Sequence, residues 1–147
     1  MKRKVLSVLL ATAMLGSMAA AVPAAAAEED QTLTVWCWDP NFNIYAMQQA
    51  EKIYQEDHPD FKLDIQENVY GDIETKLITA ATSNDYSTLP DIFLMQDYSY
   101  HKDVTSFPGV FTELTDSGID FTQFSAGKLA DSTVDGKNYG VPFDNGA

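Results

Sequence analysis

The chain has 147 residues, with 22 acidic residues against 9 Lys and Arg, a single Cys and a formal net charge of -13. This length fits one ordinary domain and excludes two complete ones. The acidic excess argues against nucleic-acid binding, which needs clustered Lys and Arg to neutralise phosphates, and one cysteine cannot form a disulfide within the chain.

The first 27 residues have the order of a secretory signal peptide. Basic residues at positions 2–4 precede a mostly small, apolar run from Val5 to Val22, and an Ala-rich segment ends before the acidic Glu28. A membrane anchor is the alternative, which the polar residues inside the run disfavour. Removal leaves residues 28–147, with a net charge of -16. No Cys follows the apolar run directly, so we expect a periplasmic or extracellular protein, at the cell surface or secreted, without a lipid anchor.

The mature chain opens with a strand and a helix. Residues Thr32 to Trp38 are β-branched and aromatic and end at an Asp-Pro-Asn sequence, which predicts a buried strand followed by a loop. Asn43 is a candidate cap for a helix that must stop at His58, because Pro59 follows. The apolar positions expected on its inner face are Ala46, Ala50, Ile53 and Tyr54.

A second strand, a second helix and a third strand follow. Residues 61–66 alternate strictly between apolar and polar, which predicts a strand with one buried face. A helix from Asp72 places its apolar residues at helical spacing: Ile73, Leu77, Ala80 and Ala81. The apolar run 92–95 is typical of a central parallel strand. This alternation predicts an α/β fold of βαβ units, a mainly parallel sheet with helices on both faces.

The last third of the chain has a weaker pattern. Residues 98–129 predict short helices and loops, with core contacts from Phe107, Val110, Phe111 and Leu114. Residues 134–137, Val-Asp-Gly-Lys, predict a tight turn. Residues 139–143 predict a further strand after that turn. We find no internal repeat in the mature part, so one lobe is expected.

The strand ends indicate where a ligand could bind, because open parallel sheets bind ligands beyond the carboxyl ends of their strands. Each end carries a carboxylate, and aromatic or carboxamide side chains accompany it. The residues concerned are Trp38, Asp39, Gln96, Asp97, Tyr98, Asp144 and Asn145. Such a set suits a sugar, since carboxylates and amides bond hydroxyls and aromatic rings stack on the apolar face of a pyranose.

Structural roles compete with these functional ones. Asp39 and Asp97 could instead cap helices, Trp36 is expected in the core, and Asp91 is expected to serve at the strand entry. Cys37 is expected to be a buried structural thiol. The two histidines, His58 and His101, lack a second ligand at metal spacing, so we expect exposed side chains and neither a metal nor a cofactor.

Two other functions stay open. Acidic strand ends also suit a cationic solute such as a polyamine. A secreted glycoside hydrolase could use two of the three carboxylates Asp39, Asp97 and Asp144, but sequence spacing does not place any two at catalytic separation. We found no phosphate-binding glycine loop and no nucleophile elbow, and we therefore expect a binding protein and not an enzyme.

The chain resembles the sugar-binding group of extracellular solute-binding proteins of bacterial ABC importers, the group that includes maltose-binding protein. The resemblance rests on the signal peptide, the opening Thr-Leu-Thr-Val-Trp at 32–36, the helix ending before Pro59, the Leu-Pro-Asp-Ile at 89–92 and the Asp-Gly-Lys-Asn-Tyr-Gly-Val-Pro at 135–142. It covers nearly all of the mature chain.

The resemblance implies a hinged trap of two α/β lobes that captures a carbohydrate and delivers it to membrane permease subunits. It implies a monomer that catalyses nothing, and it places the seven strand-end residues in the cleft. Members of the family are more than twice as long as residues 28–147. The chain is therefore expected to be the first, N-terminal lobe of a two-lobe protein, incomplete at its C-terminus.

Overall fold

The computed structural model of the protein describes residues 32–144. The predicted signal peptide, residues 1–27, and the candidate ligand residue Asn145 lie outside the described residues. Between 32 and 144, no helix is both long enough and apolar enough to cross a membrane.

Strand β1, Thr32–Cys37, is the centre of a three-stranded parallel sheet of order β2-β1-β3. Strand β2, Lys62–Glu67, pairs with all six residues of β1, from Thr32 opposite Lys62 to Cys37 opposite Glu67. Strand β3, Ile92–Phe93, pairs with only two residues of β1. The α/β fold with a parallel sheet is confirmed.

Alternate residues of β1 point to opposite faces, and a helix covers each face. Val35 and Cys37 are fully buried and pack with Ile44 and Met47 of helix α1, Asn43–Tyr54. Trp36, on the other face, packs with Ile73 and Leu77 of helix α2, Tyr70–Ser83. The second half of the strand, residues 35–37, is therefore buried on both sides, as its β-branched and aromatic sequence predicts.

Helix α2 carries its predicted apolar face, since Ile73, Leu77 and Ala80 are buried. Helix α1 is rotated relative to the prediction. Ile53 and Tyr54 are 68% and 49% exposed, and Ile44 and Met47 contact the sheet instead. The helical period was correct and the choice of face was wrong, because two apolar stripes fit one short helix and tertiary packing selects between them.

The predicted cap of helix α1 is also wrong. Asn43 is the first helical residue, and the preceding Phe42 caps the helix without a side-chain hydrogen bond. The Asn43 side chain turns back toward the sheet and accepts hydrogen bonds from the backbone N–H groups of Trp38 and Asp39, at 3.2 and 3.0 Å.

The prediction for residues 92–95 is correct in type and wrong in length and position. Strand β3 has two residues and lies at the edge of the described sheet, where Ile92 is 37% exposed. The backbone N–H of Leu94 still donates to the carbonyl of Trp36 at 3.0 Å. Beyond that bond the chain turns into helix α3, Asp97–Ser106, which is longer than the short helices predicted.

The C-terminal part contains a short 3-10 turn at Phe121–Gln123, helix α4 at Ala126–Ser132 and a hairpin of strands β4, Thr133–Val134, and β5, Lys137–Asn138. The predicted tight turn is confirmed. Asp135 and Gly136 have φ angles of 51° and 78°, as a two-residue hairpin turn requires.

The strand predicted at residues 139–143 does not form: the segment pairs with no described strand. It instead packs Gly140 against the ring of Tyr100 on helix α3. A β-carbon at Gly140 would lie 2.9 Å from the Tyr100 hydroxyl oxygen and 3.1 Å from a ring carbon. The glycine thus permits a close approach that a side chain would block.

Candidate functional site

An open cleft of about 1290 Å³ follows the free side of β3 and the carboxyl end of the sheet. Its walls come from the end of β1, the start of α3, helix α4 and the segment 139–144. Five of the seven candidate residues line it: Trp38, Gln96, Asp97, Tyr98 and Asp144. Asp39 is not part of the lining. The fold therefore brings most of the candidates to one surface, four of them at the ends of β1 and β3 and Asp144 on a segment that forms no strand.

Trp38 is placed at the cleft by the exit loop of β1. The Asn43 side chain, 1% exposed, holds the backbone of Trp38 and Asp39 through the two hydrogen bonds described above. The Trp38 ring is half-buried, packs against both halves of the core and meets the Tyr70 ring edge to face at 5.2 Å between centroids. The ring is therefore held by its neighbours and is available at the cleft.

Tyr70 links Trp38 to the exposed Tyr98, whose ring lies 6.2 Å from that of Tyr70. The Tyr70 hydroxyl forms a 2.5 Å hydrogen bond with the hydroxyl of Ser99. Burial is the main cause that raises the pKa of Tyr70 to about 12, with smaller opposing effects from hydrogen bonds to Ser99 and the Gln96 backbone. This tyrosine stays neutral at physiological pH and orients the start of helix α3.

Sequence reasoning missed Tyr70, although it follows the carboxyl end of β2 by three residues. Applying the strand-end rule to that strand would have found it. It also missed Phe42, which lines the cleft and meets Phe143 edge to face at 5.6 Å. These two rings are 47% and 40% exposed. Aromatic surface thus flanks the cleft in two separate groups.

A lysine and two aspartates connect three walls of the cleft: helix α4, helix α3 and the segment 139–144. The ammonium of Lys128, on helix α4, lies 2.5 Å from Asp97 Oδ2 and 3.4 Å from Asp144 Oδ1. The hydrogen bond with Asp97 is the largest cause that raises the pKa of Lys128. Sequence reasoning missed this lysine, because it considered strand ends only and no local signal marks a helical lysine as a partner of distant carboxylates.

The two proposed capping roles are not observed. Helices α1 and α3 have Phe42 and Gln96 at their N-caps, without side-chain bonds. The Asp39 carboxylate instead accepts from the backbone N–H of Asn41 at 2.8 Å, which closes the loop after β1. Asp39 therefore shapes the loop beside Trp38.

Asp91 serves at the strand entry, as expected. Its carboxylate accepts from both the backbone N–H and the hydroxyl of Thr34, each at 2.8 Å. These hydrogen bonds are the main cause that lowers the pKa of Asp91. The residue fixes β3 beside β1.

The remaining titratable groups have structural surroundings. Cys37 is fully buried, and burial followed by the charge of Glu67 raises the pKa of its thiol. His58 is exposed and stacks on Tyr54 at 4.1 Å. His101 is exposed and bonds the carbonyl of Ala130. Within residues 32–144, no three His, Cys, Asp or Glu side chains are grouped so that they could hold a metal ion.

The cleft therefore combines exposed aromatic rings with carboxylate acceptors and one ammonium donor, on a parallel α/β sheet. Residues 49–147 match the family of bacterial extracellular solute-binding proteins. The match covers most of the chain, and the protein belongs to this family. The resemblance inferred from the sequence motifs is thereby confirmed.

Comparison with individual proteins agrees with this family. The chain is 44% identical, over 146 residues, to a lactose-binding protein of Rhizobium radiobacter, covering 99% of this chain and 32% of that protein. The chain thus spans about a third of the length of this relative.

Solved structures show the same fold at low sequence identity. The GacH receptor of Streptomyces glaucescens, determined without ligand and with acarbose, matches with a TM-score of 0.58 and 19% identity over 73% of this chain and 27% of that one. The sugar-binding protein MalE of Xanthomonas citri matches with a TM-score of 0.56 and 22% identity over 76% of this chain and 28% of that one.

Proposed function

We propose that the protein is the substrate-binding component of an ABC transporter and that it captures an extracellular carbohydrate for delivery to membrane permease subunits. In this proposal the described chain forms part of the first lobe, and the ligand is enclosed between this lobe and a second one. The signal peptide at residues 1–27 would export the protein to the periplasm or the cell surface. It binds its ligand without transforming it.

The observation that carries the carbohydrate proposal is the composition of the cleft. Trp38 and Tyr98 offer ring surface beside the Asp97 carboxylate and the Gln96 carboxamide. A pyranose has apolar C–H faces and a rim of hydroxyls, so it is recognised by rings and by charged or amide acceptors together. The 44% identity to a lactose-binding protein supports the same ligand class.

The test is a titration of the full-length gene product with a panel of sugars that includes lactose, maltose and galactose. Calorimetry gives the affinity, and tryptophan fluorescence gives a second readout because Trp38 lies at the cleft. We expect saturable binding of at least one sugar. Trp38→Ala should weaken it at least tenfold, whereas Tyr45→Ala, on the exposed face of helix α1, serves as the matched aromatic control and should leave it unchanged.

Two outcomes would contradict the proposal. Binding of spermidine without any sugar, weakening steeply with added salt, would identify a cationic ligand, since a neutral sugar has little salt dependence. Hydrolysis of a bound disaccharide that disappears in Asp97→Asn would identify a glycoside hydrolase. Recovery of the bound sugar unchanged after prolonged incubation agrees with a binding protein.

A further inference from the structure

The environment of Lys128 differs from that of every other lysine between residues 32 and 144. Its side chain is 16% exposed, and the other five lysines are in the exposed class. The comparable ion pair on the adjacent hairpin, Lys137 with Glu113 at 2.7 Å, has side chains that are 53% and 39% exposed and lies outside the cleft lining. Lys128 is the lysine that the fold places inside the cleft.

Its helix gives no reason for a lysine at this position. Lys128 is the third residue of α4, and its backbone N–H is capped by the hydroxyl of Ser125. A positive charge in the first turn of a helix opposes the helix dipole and costs stability. The position is therefore explained by its partners across the cleft, Asp97 and Asp144.

Those partners come from separate parts of the chain. Asp97 begins helix α3 directly after β3, and Asp144 lies in the segment after the hairpin. The two carboxylates converge on one ammonium and remain 54% and 42% exposed. A lysine between them fixes both acceptors, and it also fixes the backbone that presents Tyr98 next to Asp97.

The arrangement of Lys128 between the two carboxylates determines which charge a ligand of the cleft can carry. Two carboxylates that converge on one point form a site for an ammonium group, and the ammonium of Lys128 occupies it from within the protein. Two other acidic residues line the cleft: Asp91, whose carboxylate is bonded to Thr34, and Asp131, an exposed residue of α4. A neutral polyol can still use the exposed edges of both carboxylates as acceptors.

We infer that Lys128 is a positioning and specificity-determining residue: it fills the cation position between Asp97 and Asp144 and holds both carboxylates as acceptors for an uncharged, hydroxyl-rich ligand. This inference rests on the proposed function and adds the basis of discrimination between a sugar and a polyamine. Lys128 acts on the ligand through the two carboxylates that it orients.

The experiment compares Lys128→Met, Lys128→Arg and the control Lys137→Met in the full-length gene product, titrated with lactose and with spermidine by calorimetry. For Lys128→Met we expect lactose affinity to fall at least tenfold and spermidine affinity to rise at least tenfold, with the new binding weakened by salt. Lys128→Arg should keep both affinities within about threefold, because it retains the charge. Lys137→Met should match the wild type.

Unchanged lactose and spermidine affinities in a folded Lys128→Met protein would overturn the inference. If that variant does not fold, Lys128→Gln, which keeps a polar side chain, is measured with the same criteria. A wild type that binds no sugar contradicts the proposed function. In that case the spermidine comparison alone decides the inference, which stands if removal of the lysine charge raises spermidine affinity and fails if it does not.

Discussion

The two sides of strand β1 differ in how completely they are built. Toward β2, six residue pairs form a continuous parallel ladder, and Leu63 and Ile65 of β2 pack with the fully buried Val35 and Cys37. Toward β3, only two residue pairs form, and the cleft begins there, with Phe143 and Val141 40% and 47% exposed. The buried residues on both faces of β1 supply stability, and the side toward β3 presents the candidate site.

This division has a physical cause. Burial of apolar surface stabilises the fold, whereas a ligand site needs surface that remains open until the ligand arrives. Substitutions of the buried residues that pack against β1 should therefore change the free energy of unfolding most, and substitutions at the cleft should change it less.

The largest expected effect is at Ile73, which is fully buried beneath β1. Ile73→Ala should lower the free energy of unfolding by about 2–5 kcal/mol, because it removes buried methyl groups and leaves a cavity. Urea unfolding measures it. The matched control Ile53→Ala, at a 68% exposed position, should change stability by less than about 0.5 kcal/mol. Equal effects of the two variants would contradict the assignment of stability to the buried residues.

Asn43 links helix α1 to the end of β1 at the cleft, and its substitution should have the second-largest effect on stability. Asn43→Ala leaves the backbone N–H groups of Trp38 and Asp39 without their acceptor, and each partly buried donor that loses its partner costs about 1 kcal/mol or more. We expect a loss of about 2–3 kcal/mol by urea unfolding, accompanied by a change in tryptophan fluorescence. Asn41→Ala, in the same loop but exposed, is the control. Unchanged tryptophan fluorescence in Asn43→Ala would show that the Asn43 amide does not position Trp38.

On the cleft side, Gly140→Ala should cost about 1–2 kcal/mol, because the new methyl group overlaps the Tyr100 ring. Gly71→Ala in helix α2 is the control. Its β-carbon would meet nothing within 4 Å, so alanine should be neutral or stabilising by up to about 1 kcal/mol. Thermal unfolding of both variants distinguishes them, and a neutral Gly140→Ala would mean that the 139–144 segment moves away freely.

The smallest effect at neutral pH is expected for Tyr70→Phe, at about 1 kcal/mol, from the lost hydroxyl contact with Ser99. A pH dependence accompanies it. The pKa of Tyr70 is about 12 in the folded protein, against 10 ordinarily, so the unfolded chain releases this proton first. The contribution of Tyr70 to stability should be constant below pH 10 and fall as the pH rises from 10 toward 12.

Urea unfolding at pH 9, 10 and 11 measures that fall, and tyrosinate absorbance follows the ionisation. In Tyr70→Phe the fall should be smaller than in the wild type. The same pH dependence in both proteins would assign it to other tyrosines.

The elements with strong local patterns were predictable from the sequence, and those that depend on distant partners were not. The alternation of 61–66 and the spacing of Ile73 and Leu77 identify β2 and α2 directly. The short β3 and the unpaired 139–143 segment depend on which strands are neighbours, and β-propensity does not determine that.

The candidate site follows the same rule. Four of its residues, Trp38, Gln96, Asp97 and Tyr98, follow the ends of β1 and β3, and the topology of a parallel sheet brings such ends together. Asp144 reaches the cleft on a segment that forms no strand. Lys128 and Phe42 were missed because their roles arise only when helix α4 and the loop before α1 are packed against the cleft. The charge of a residue is visible in the sequence, whereas its partner across 31 positions, as between Asp97 and Lys128, is not.

The placement of Cys37 has a further consequence for a protein that we propose to be exported. An unpaired thiol in an oxidising compartment can cross-link two molecules or be oxidised to an acid, and both reactions proceed through the exposed thiolate. In this protein the sulfur lies at the centre of the sheet, 0% exposed, where burial keeps it protonated. Folding itself therefore protects the lone cysteine from oxidation.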